Sequence, residues 1–327
     1  RKKLIIIGTH SVLNDDFEYD NLGLLIIDEE QSFGVEQKEK IKKLRSEIHV
    51  LTLTATPIPR TLAMTAYGDL DNSIISELPS GRGEIATLCL SEDKREEVVE
   101  KALREIKKGR QVYWVCPLIE ISDKLALAAA EERFQYLNSI FTDRVALIHG
   151  RMKDVEKDRI MDSFRAGKVD ILVATSVIEV GVDVPDATIM VIEHAERFGL
   201  AQLHQLRGRV GRGLEQSTCL LLYSAPLSEN ARARINVLRE SEDGFIIAEE
   251  DLKLRGAGEV LGIKQSGLPH FKIADLTFHS DLLELASNEA KLILNKDPDL
   301  ISKRGEALKI LLYLFERDIA VQYLKSG

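Results

Sequence analysis

Two acidic residues follow an apolar run near the start of the chain. Residues 22–27 are Leu-Gly-Leu-Leu-Ile-Ile, and they lead directly into Asp28 and Glu29. A buried strand with this ending puts carboxylates at the carboxyl edge of a parallel sheet, where ligands of open α/β folds bind. One carboxylate can hold Mg²⁺ while its neighbour orients or deprotonates a water, as hydrolysis of a nucleotide γ-phosphate requires. A strand that simply ends in solvated acids would have the same sequence.

A second apolar run ends in small hydroxyl residues. Residues 51–57 are Leu-Thr-Leu-Thr-Ala-Thr-Pro, which predicts a strand followed by the start of a helix. The hydroxyls of Thr54 and Thr56 can relay hydrogen bonds between a phosphate site and a neighbouring domain. An ordinary strand-turn-helix with an early proline has the same pattern.

A basic block lies further along the chain. Residues 202–213 are Gln-Leu-His-Gln-Leu-Arg-Gly-Arg-Val-Gly-Arg-Gly, so Arg207, Arg209 and Arg212 stand among glycines that allow close backbone approach. No acidic residue occurs between positions 197 and 214, although the whole chain carries a net charge of -9. The pattern favours a clamp for anionic oxygens, and a basic surface loop is the alternative.

The elements that must position these residues alternate along the chain. Short β-branched runs alternate with segments of helical period, which predicts an α/β fold with parallel sheets covered on both faces. The predicted strands are residues 4–7, 24–27, 50–53, 111–116, 145–148, 170–174, 189–192 and 218–222. The predicted helices between them include residues 36–44, 94–107, 124–139, 155–164 and 200–206.

The second half of the chain ends in helices. Residues 228–240 and 243–254 predict a helical hairpin, which is followed by a glycine-rich loop at 255–267. Residues 300–324 predict a packing helix or a pair of helices.

Turn-forming residues at 78–83 predict a hinge between domains. We therefore expect a first α/β lobe at 1–78, a second at 79–225, and a helical region at 226–327. The first part holds only about three strands and opens almost directly on a strand without a methionine. We expect it to be the second half of a lobe.

Composition excludes several classes of protein. The chain has 327 residues, of which 44% are hydrophobic and 30% are charged, so it is neither disordered nor fibrous. No apolar run approaches the roughly 20 residues that span a bilayer. The three cysteines, Cys89, Cys116 and Cys219, lie in predicted strands and are too few for a disulfide framework. We expect inert core thiols and a cytoplasmic protein that does not contact membranes.

The blocks resemble, in order and spacing, those of the RecG family of superfamily 2 helicases. The nearest alternative is the motor of the transcription-repair coupling factor; Ser32 stands where both families usually carry arginine. Residues 63–67 and 113–116 favour RecG. The resemblance covers essentially the whole chain and rests on residues 28–35, 54–57, 111–120, 148–152, 173–183, 205–212 and 252–262.

This resemblance implies two RecA-like lobes, the first incomplete, with ATP and Mg²⁺ between them. Asp28 would hold Mg²⁺ and Glu29 would act on the attacking water, while Arg209 and Arg212 would act as arginine fingers. Three further roles are implied, and they involve Gln205 near the γ-phosphate, Gly181 and Asp183 near the ribose, and Thr54 and Thr56 in coupling the lobes.

The resemblance also implies a DNA surface and a substrate. The expected partner is branched or duplex DNA, such as stalled forks and Holliday junctions in recombination and repair, bound by a monomeric, nucleoid-associated enzyme. A nonhydrolytic DNA-binding or partner-docking module and an RNA helicase are the alternatives. The expected DNA contacts are Thr9, His10, Gly150, Arg151 and Thr175, with Arg255 and Gln265 as a lever on duplex DNA.

One motif is absent from the sequence. No Gly-x-x-x-x-Gly-Lys-Ser/Thr occurs in the 327 residues, so we expect the loop that cradles the nucleotide phosphates to lie upstream. We therefore expect the chain to be inactive as an ATPase on its own.

Overall fold

The computed structural model of the chain describes most of residues 83–315 and shorter stretches before them. The described residues are 4–9, 12, 22–29, 33, 41, 48–54, 73–75, 77, 83–117, 123–175, 184–213, 215–255 and 279–315. They fall into two compact units.

The larger unit contains a six-stranded sheet in which all neighbouring strands are parallel. Its strands follow the order β3-β8-β7-β4-β6-β5. They are β3 (Ile85–Ser91), β4 (Gln111–Cys116), β5 (Val145–Ile148), β6 (Ile171–Thr175), β7 (Ala187–Ile192) and β8 (Ser217–Tyr223). The predicted α/β architecture is confirmed.

Helices cover both faces of this sheet, which explains why its central strands are continuously apolar. Along β4, Val112 and Trp114 face one core cluster and Tyr113 faces the other. The first cluster is completed by α1 (Arg95–Ile106) and α2 (Asp123–Phe141). The second is completed by α3 (Asp154–Arg165), α4 (Leu200–Arg207), α5 (Glu229–Glu240) and α6 (Gly244–Arg255).

The predicted hairpin helices are confirmed as α5 and α6, and they belong to this larger unit. Ser228 begins α5, because its hydroxyl accepts a hydrogen bond from the Ala231 N–H at 3.2 Å. Ile235 and Leu238 of α5 and Ile247 of α6 are buried in the same cluster as strand residues. The hairpin is therefore part of the core that supports the sheet.

The smaller unit contains two parallel strands and two helices. β1 (Leu24–Asp28) pairs with β2 (His49–Leu53), and the helices are α7 (Ser280–Lys296) and α8 (Lys303–Leu314). Arg304 forms an ion pair of 2.6 Å with Glu289, which joins α8 to α7. Among the helices that the structure describes, none is both long and apolar enough to cross a bilayer.

One strand prediction differs from the structure. Residues 4–7 were predicted to form a strand but are irregular and exposed; strands need a ladder partner, and none pairs with them among the described residues. The apolar run around Cys89 is predicted to be a strand without stated bounds, and β3 confirms it. It is an edge strand whose side chains are mostly half-buried, so its apolar pattern is weak. The predicted helix at 36–44 and the hinge at 78–83 lie almost entirely outside the described residues.

Candidate functional site

The acid pair lies at the carboxyl end of β1, as the sequence predicts. Asp28 is the last residue of β1 and is in register with Leu53, the last residue of β2. The Glu29 N–H donates to the Leu53 carbonyl at 3.0 Å, and Glu29 adopts a left-handed conformation with φ 51°. Thr54 follows Leu53, so it lies at the same edge as Asp28. An exposed carboxylate with a second one beside it is a suitable oxygen donor set for Mg²⁺.

The other site residues predicted before residue 57 are Thr9 and His10, as DNA contacts, and Thr56, as a coupling residue. Thr9 is exposed, and its carbonyl accepts a hydrogen bond from the Val12 N–H at 3.1 Å. His10 and Thr56 lie outside the residues that the structure describes.

The loop that follows α4 carries Arg209 and Arg212, and we call residues 208–213 the arginine loop. Its backbone is fixed by hydrogen bonds from the Gly208 N–H to the His204 carbonyl and from the Arg209 N–H to the Leu206 carbonyl, both at 3.0 Å. At its far end, the Gly213 carbonyl accepts from the Gly83 N–H at 3.0 Å. Arg209 is half-buried and Arg212 is exposed. The loop therefore presents two guanidinium groups from a well-defined backbone.

Glycine is required at the centre of this loop. Gly211 has φ 77°, and a Cβ atom there would lie 2.7 Å from Ile85 Cγ1. The predicted close backbone approach is thus present, although the group approached is the start of β3.

Arg207 corrects the prediction that three arginines clamp anions. Its side chain is only 2% exposed, and Nη1 donates to the carbonyls of Leu238 at 2.7 Å and Ser241 at 2.8 Å. Its Nη2 lies 3.0 Å from His204 Nδ1. Sequence cannot distinguish it from its neighbours, because the partners come from the end of α5.

Of the other residues predicted for the nucleotide site, Gln205 is described by the structure and Gly181 and Asp183 are not. Gln205 is half-buried on α4, three residues before the arginine loop. Gly181 and Asp183 lie outside the described residues. Pro185, which follows Asp183 by two positions, lies beside the loop, because a Cβ on Gly213 would be 3.3 Å from the Pro185 carbonyl oxygen.

Three of the predicted DNA contacts lie at or just after the carboxyl ends of β5 and β6, on the opposite side of the sheet from β3. Gly150 and Arg151 are exposed in the turn between β5 and α3, a few residues before the helix begins at Asp154. Thr175 ends β6, the strand next to β5. Thr175 is buried in this conformation and its hydroxyl has no hydrogen-bond partner within the described residues. Arg255 is the last residue of α6, and Gln265 lies outside the described part of the chain.

A buried carboxylate at the carboxyl end of β7, that of Glu193, lies between two arginines and is not among the predicted site residues. Glu193 follows β7 and is 6% exposed; Trp114 Nε1 donates to its Oε1 at 3.0 Å. Arg133 Nε lies 2.6 Å and Arg95 Nε 3.4 Å from the same oxygen. The sequence contains a signal for it, because Glu193 directly follows an apolar run, which is the pattern used to select Asp28.

Next to Glu193, residues 194–198 contact Ser224, which follows β8, and Arg234 of α5. His194 Nδ1 lies 3.0 Å from the Ser224 hydroxyl, and Arg234 Nη1 donates to the Phe198 carbonyl at 3.0 Å. Burial acts to raise the pKa of Glu196, but hydrogen bonds from His194 and backbone N–H groups hold this pKa below its ordinary value. No group of residues suited to binding a metal through histidine, cysteine and carboxylates occurs in the described ranges.

Three family descriptions match the chain. Residues 1–65 match "DEAD/DEAH box helicase", residues 93–213 match "Helicase conserved C-terminal domain", and residues 241–315 match "ATP-dependent DNA helicase RecG, domain 3, C-terminal".

Curated relatives give the same result. The chain is 49% identical over 298 residues to the ATP-dependent DNA helicase RecG of Acidithiobacillus ferridurans, covering 91% of this chain and 44% of the relative. It is 46% identical over 312 residues to that of Bacillus subtilis, covering 93% of this chain and 46% of the relative. The chain therefore spans under half of the length of these relatives.

Solved structures agree with the fold. The structure of RecG bound to a three-way DNA junction matches with a TM-score of 0.64 and 46% identity, covering 85% of this chain and 36% of that one. The structure of Saccharomyces cerevisiae Dbp5 bound to RNA and ADP BeF3 matches with a TM-score of 0.51 at 16% identity, covering 71% of this chain and 61% of that one, which shows the fold alone. The six-stranded unit has the RecA-like helicase fold, and the chain belongs to the RecG family of DNA helicases.

Proposed function

We propose that this chain is part of the motor of an ATP-dependent DNA helicase that remodels branched DNA. The observation that carries the proposal is the 46% identity, at a TM-score of 0.64, to a RecG solved on a three-way DNA junction. The presence in one chain of the Asp28–Glu29 pair and of Arg209 and Arg212 supports a hydrolytic motor. A nonhydrolytic DNA-binding module has no chemical need for both sets of residues.

In this proposal the acid pair and the arginine loop divide the work of nucleotide hydrolysis. Asp28 holds Mg²⁺, which supplies charge neutralisation when it is bound with ATP. Glu29 orients the attacking water and accepts its proton. Arg209 and Arg212 stabilise negative charge on the γ-phosphoryl oxygens, and the hydrogen-bonded backbone of their loop limits reorganisation during the reaction.

Coupling residues complete the nucleotide part of the proposal. Gln205 links the lobes near the γ-phosphate, while Gly181 and Asp183 contact the ribose. Thr54 and Thr56 relay the state of the nucleotide between lobes. The functional division we propose is a first lobe at 1–78, a second at 79–225, and the hairpin with the C-terminal helices at 226–327.

DNA is the partner in this proposal, and it is held through its phosphates. Thr9, His10 and Thr175 contribute side-chain contacts, and the turn at Gly150 and Arg151 contributes backbone and charge. Since Thr175 is buried here, its contact with DNA requires local rearrangement at the end of β6. We further propose a monomer in the bacterial cytoplasm, where the three cysteines remain free thiols.

The proposal is tested with the full-length protein that carries this chain. ATP hydrolysis is measured with fork DNA, linear duplex and RNA as stimulants, with Glu29→Gln as the matched hydrolysis-deficient control. Stimulation by fork DNA above linear duplex, lost in the control, is expected. Absence of ATP hydrolysis with every nucleic acid would favour a nonhydrolytic module, and stimulation by RNA alone would indicate an RNA helicase.

The lever proposed for Arg255 and Gln265 predicts a separation of activities. Arg255→Ala and Gln265→Ala should leave DNA-stimulated ATP hydrolysis within a few-fold of wild type while fork unwinding fails. Arg255→Ala should also lower the slope of log K for duplex binding against log salt by about 0.9, whereas Gln265→Ala should not. Parallel loss of both activities would mean that the hairpin acts by supporting the core around Ile235 and Ile247.

A further inference from the structure

The side chain of Arg207 ends at the carboxyl terminus of α5. The last carbonyls of a helix have no partners within the helix, and they carry the negative end of its dipole. Arg207 satisfies the Leu238 and Ser241 carbonyls with Nη1, at 2.7 and 2.8 Å. It is therefore a buried cap for α5 that is supplied by a distant part of the chain.

The backbone of Arg207 is hydrogen-bonded to the arginine loop. Its carbonyl accepts from the Val210 N–H at 3.3 Å, and the flanking N–H groups of Gly208 and Arg209 bond to α4 carbonyls. Val210 itself is fully buried. One residue thus bonds through its side chain to the hairpin and through its main chain to the loop.

These contacts fix the loop at both ends. Gly213 is anchored to Gly83, next to the start of β3, and the Ile85 N–H lies 3.3 Å from Glu242 Oε1. Glu242 directly follows Ser241, the residue that Arg207 holds. The turn between α5 and α6 is therefore connected to both ends of the arginine loop, at Arg207 directly and at Gly213 through the start of β3.

We infer that Arg207 is a positioning residue, which sets the place of Arg209 and Arg212 by tying the arginine loop to the end of α5. This inference deepens the proposed function and rests on it for its effect on ATP hydrolysis. The physical link between the loop and α5 does not depend on that function. A displacement of about 1 Å at a catalytic group lowers rates up to about 100-fold, so a small shift of the loop has a large effect.

Lysine cannot replace Arg207 in this role. A guanidinium group presents donors on a rigid planar fork, whereas lysine offers one ammonium on a flexible stem. Nη1 donates to both carbonyls, while Nη2 lies beside His204 Nδ1, so the contacts use two nitrogens of the fork. Arg207→Lys therefore retains the positive charge but loses the planar arrangement of donors. Comparison with Arg207→Ala separates the effect of the charge from that of the hydrogen-bond geometry.

The first experiment measures hydrogen exchange in the full-length protein with Arg207→Lys and Arg207→Ala. Protection of the Gly208, Arg209 and Val210 amides and of the Ser241 amide should fall together, by about tenfold or more. The Ala166 amide, bonded to the Asp162 carbonyl in α3, is the internal control and should not change. Loss of protection at Ser241 alone would overturn the inference, because Arg207 would then be only a helix cap.

The second experiment measures steady-state ATP hydrolysis of the same variants. We expect kcat to fall about 10- to 100-fold with KM for ATP within about threefold of wild type. Millimolar guanidinium should restore part of the rate in Arg207→Ala, and equal sodium chloride should not. Arg144→Ala is the matched control, because Arg144 also binds a carbonyl and a carboxylate, those of Gly167 and Asp170, but at the sheet edge near β5.

The two experiments fail in different ways. If the wild-type protein hydrolyses no ATP, the proposed function fails, and the hydrogen-exchange result still decides whether Arg207 ties the loop to α5. If exchange changes as expected but kcat does not, or if Arg144→Ala lowers kcat equally, Arg207 is not a positioning residue for Arg209 and Arg212.

Discussion

The three arginines between positions 207 and 212 have the same side chain and three different surroundings. Arg207 is buried, Arg209 is half-buried and Arg212 is exposed. Burial of Arg207 is explained by carbonyl partners at the end of a helix, whereas a half-buried or exposed guanidinium can reach a ligand. Sequence spacing identified the block but could not assign these roles, because the partners of Arg207 lie about 30 residues further along the chain.

We predict that Arg209→Ala or Arg212→Ala lowers kcat for ATP by roughly 10³-fold in the full-length protein and leaves nucleotide binding largely intact. Charge on the γ-phosphoryl oxygens develops mainly in the transition state, so the loss falls on kcat. Single-turnover hydrolysis and nucleotide titration measure the two quantities. Arg197→Ala, a half-exposed arginine before α4, is the control, and wild-type turnover in Arg209→Ala and Arg212→Ala would remove both residues from the site.

The cysteines provide a second residue-scale prediction. Burial raises the pKa of Cys219 to about 12 and also raises that of Cys116, and only the thiolate reacts with alkylating reagents. In folded protein between about pH 7 and pH 9, both should resist labelling, while the half-buried Cys89 reacts slowly. Mass spectrometry after timed iodoacetamide treatment should find all three labelled only after unfolding. Rapid native labelling of Cys219 would contradict the buried position.

At the scale of elements, the arginine loop depends on one glycine. We predict that Gly211→Ala lowers the free energy of unfolding by more than Gly109→Ala does. Both positions have positive φ, at 77° and 87°, which costs alanine about 1–2 kcal/mol. Only at Gly211 does the added Cβ meet a neighbour, Ile85 Cγ1 at 2.7 Å, whereas Gly109 faces open space. Urea denaturation measures the free energy of unfolding of both variants. Equal decreases would show that the loop accommodates the Cβ of Gly211→Ala without a steric penalty.

Elements with a strong hydrophobic pattern could be predicted from the sequence. Features that depend on a partner elsewhere in the fold could not. The apolar strands β4, β6 and β7 are buried on both faces, so their composition alone identified them. Residues 4–7 are just as apolar, but a strand exists only where a ladder forms, and no strand among the described residues pairs with them. The hairpin helices were predicted with bounds close to those observed. Their burial in the sheet's core was not predicted, because helical period does not reveal which element covers the apolar face.

At the scale of the molecule, the sequence contains the proposed catalytic groups and no phosphate-loop motif. The sequence contains no Gly-x-x-x-x-Gly-Lys-Ser/Thr, so we predict that the 327-residue chain alone hydrolyses no measurable ATP. Leu24, Ile26 and Leu51 of β1 and β2 are each about half exposed, which also favours self-association. A phosphate-release assay and sedimentation velocity measure these properties. ATP turnover that disappears with Glu29→Gln in the same chain would falsify the prediction.

The pairing of β3 with β8 has a consequence for how the protein is made. β3 is the first strand of the six-stranded sheet to leave the ribosome, and β8, its neighbour in the sheet, is the last. Until β8 emerges, β3 remains an unpaired edge that other strands can join. The Gly83 N–H, just before β3, likewise lacks its hydrogen-bond acceptor, the Gly213 carbonyl, until shortly before β8 is made. Closure of the sheet and ordering of the arginine loop therefore both require residues that are made late, and translation that stops before residue 213 leaves both incomplete.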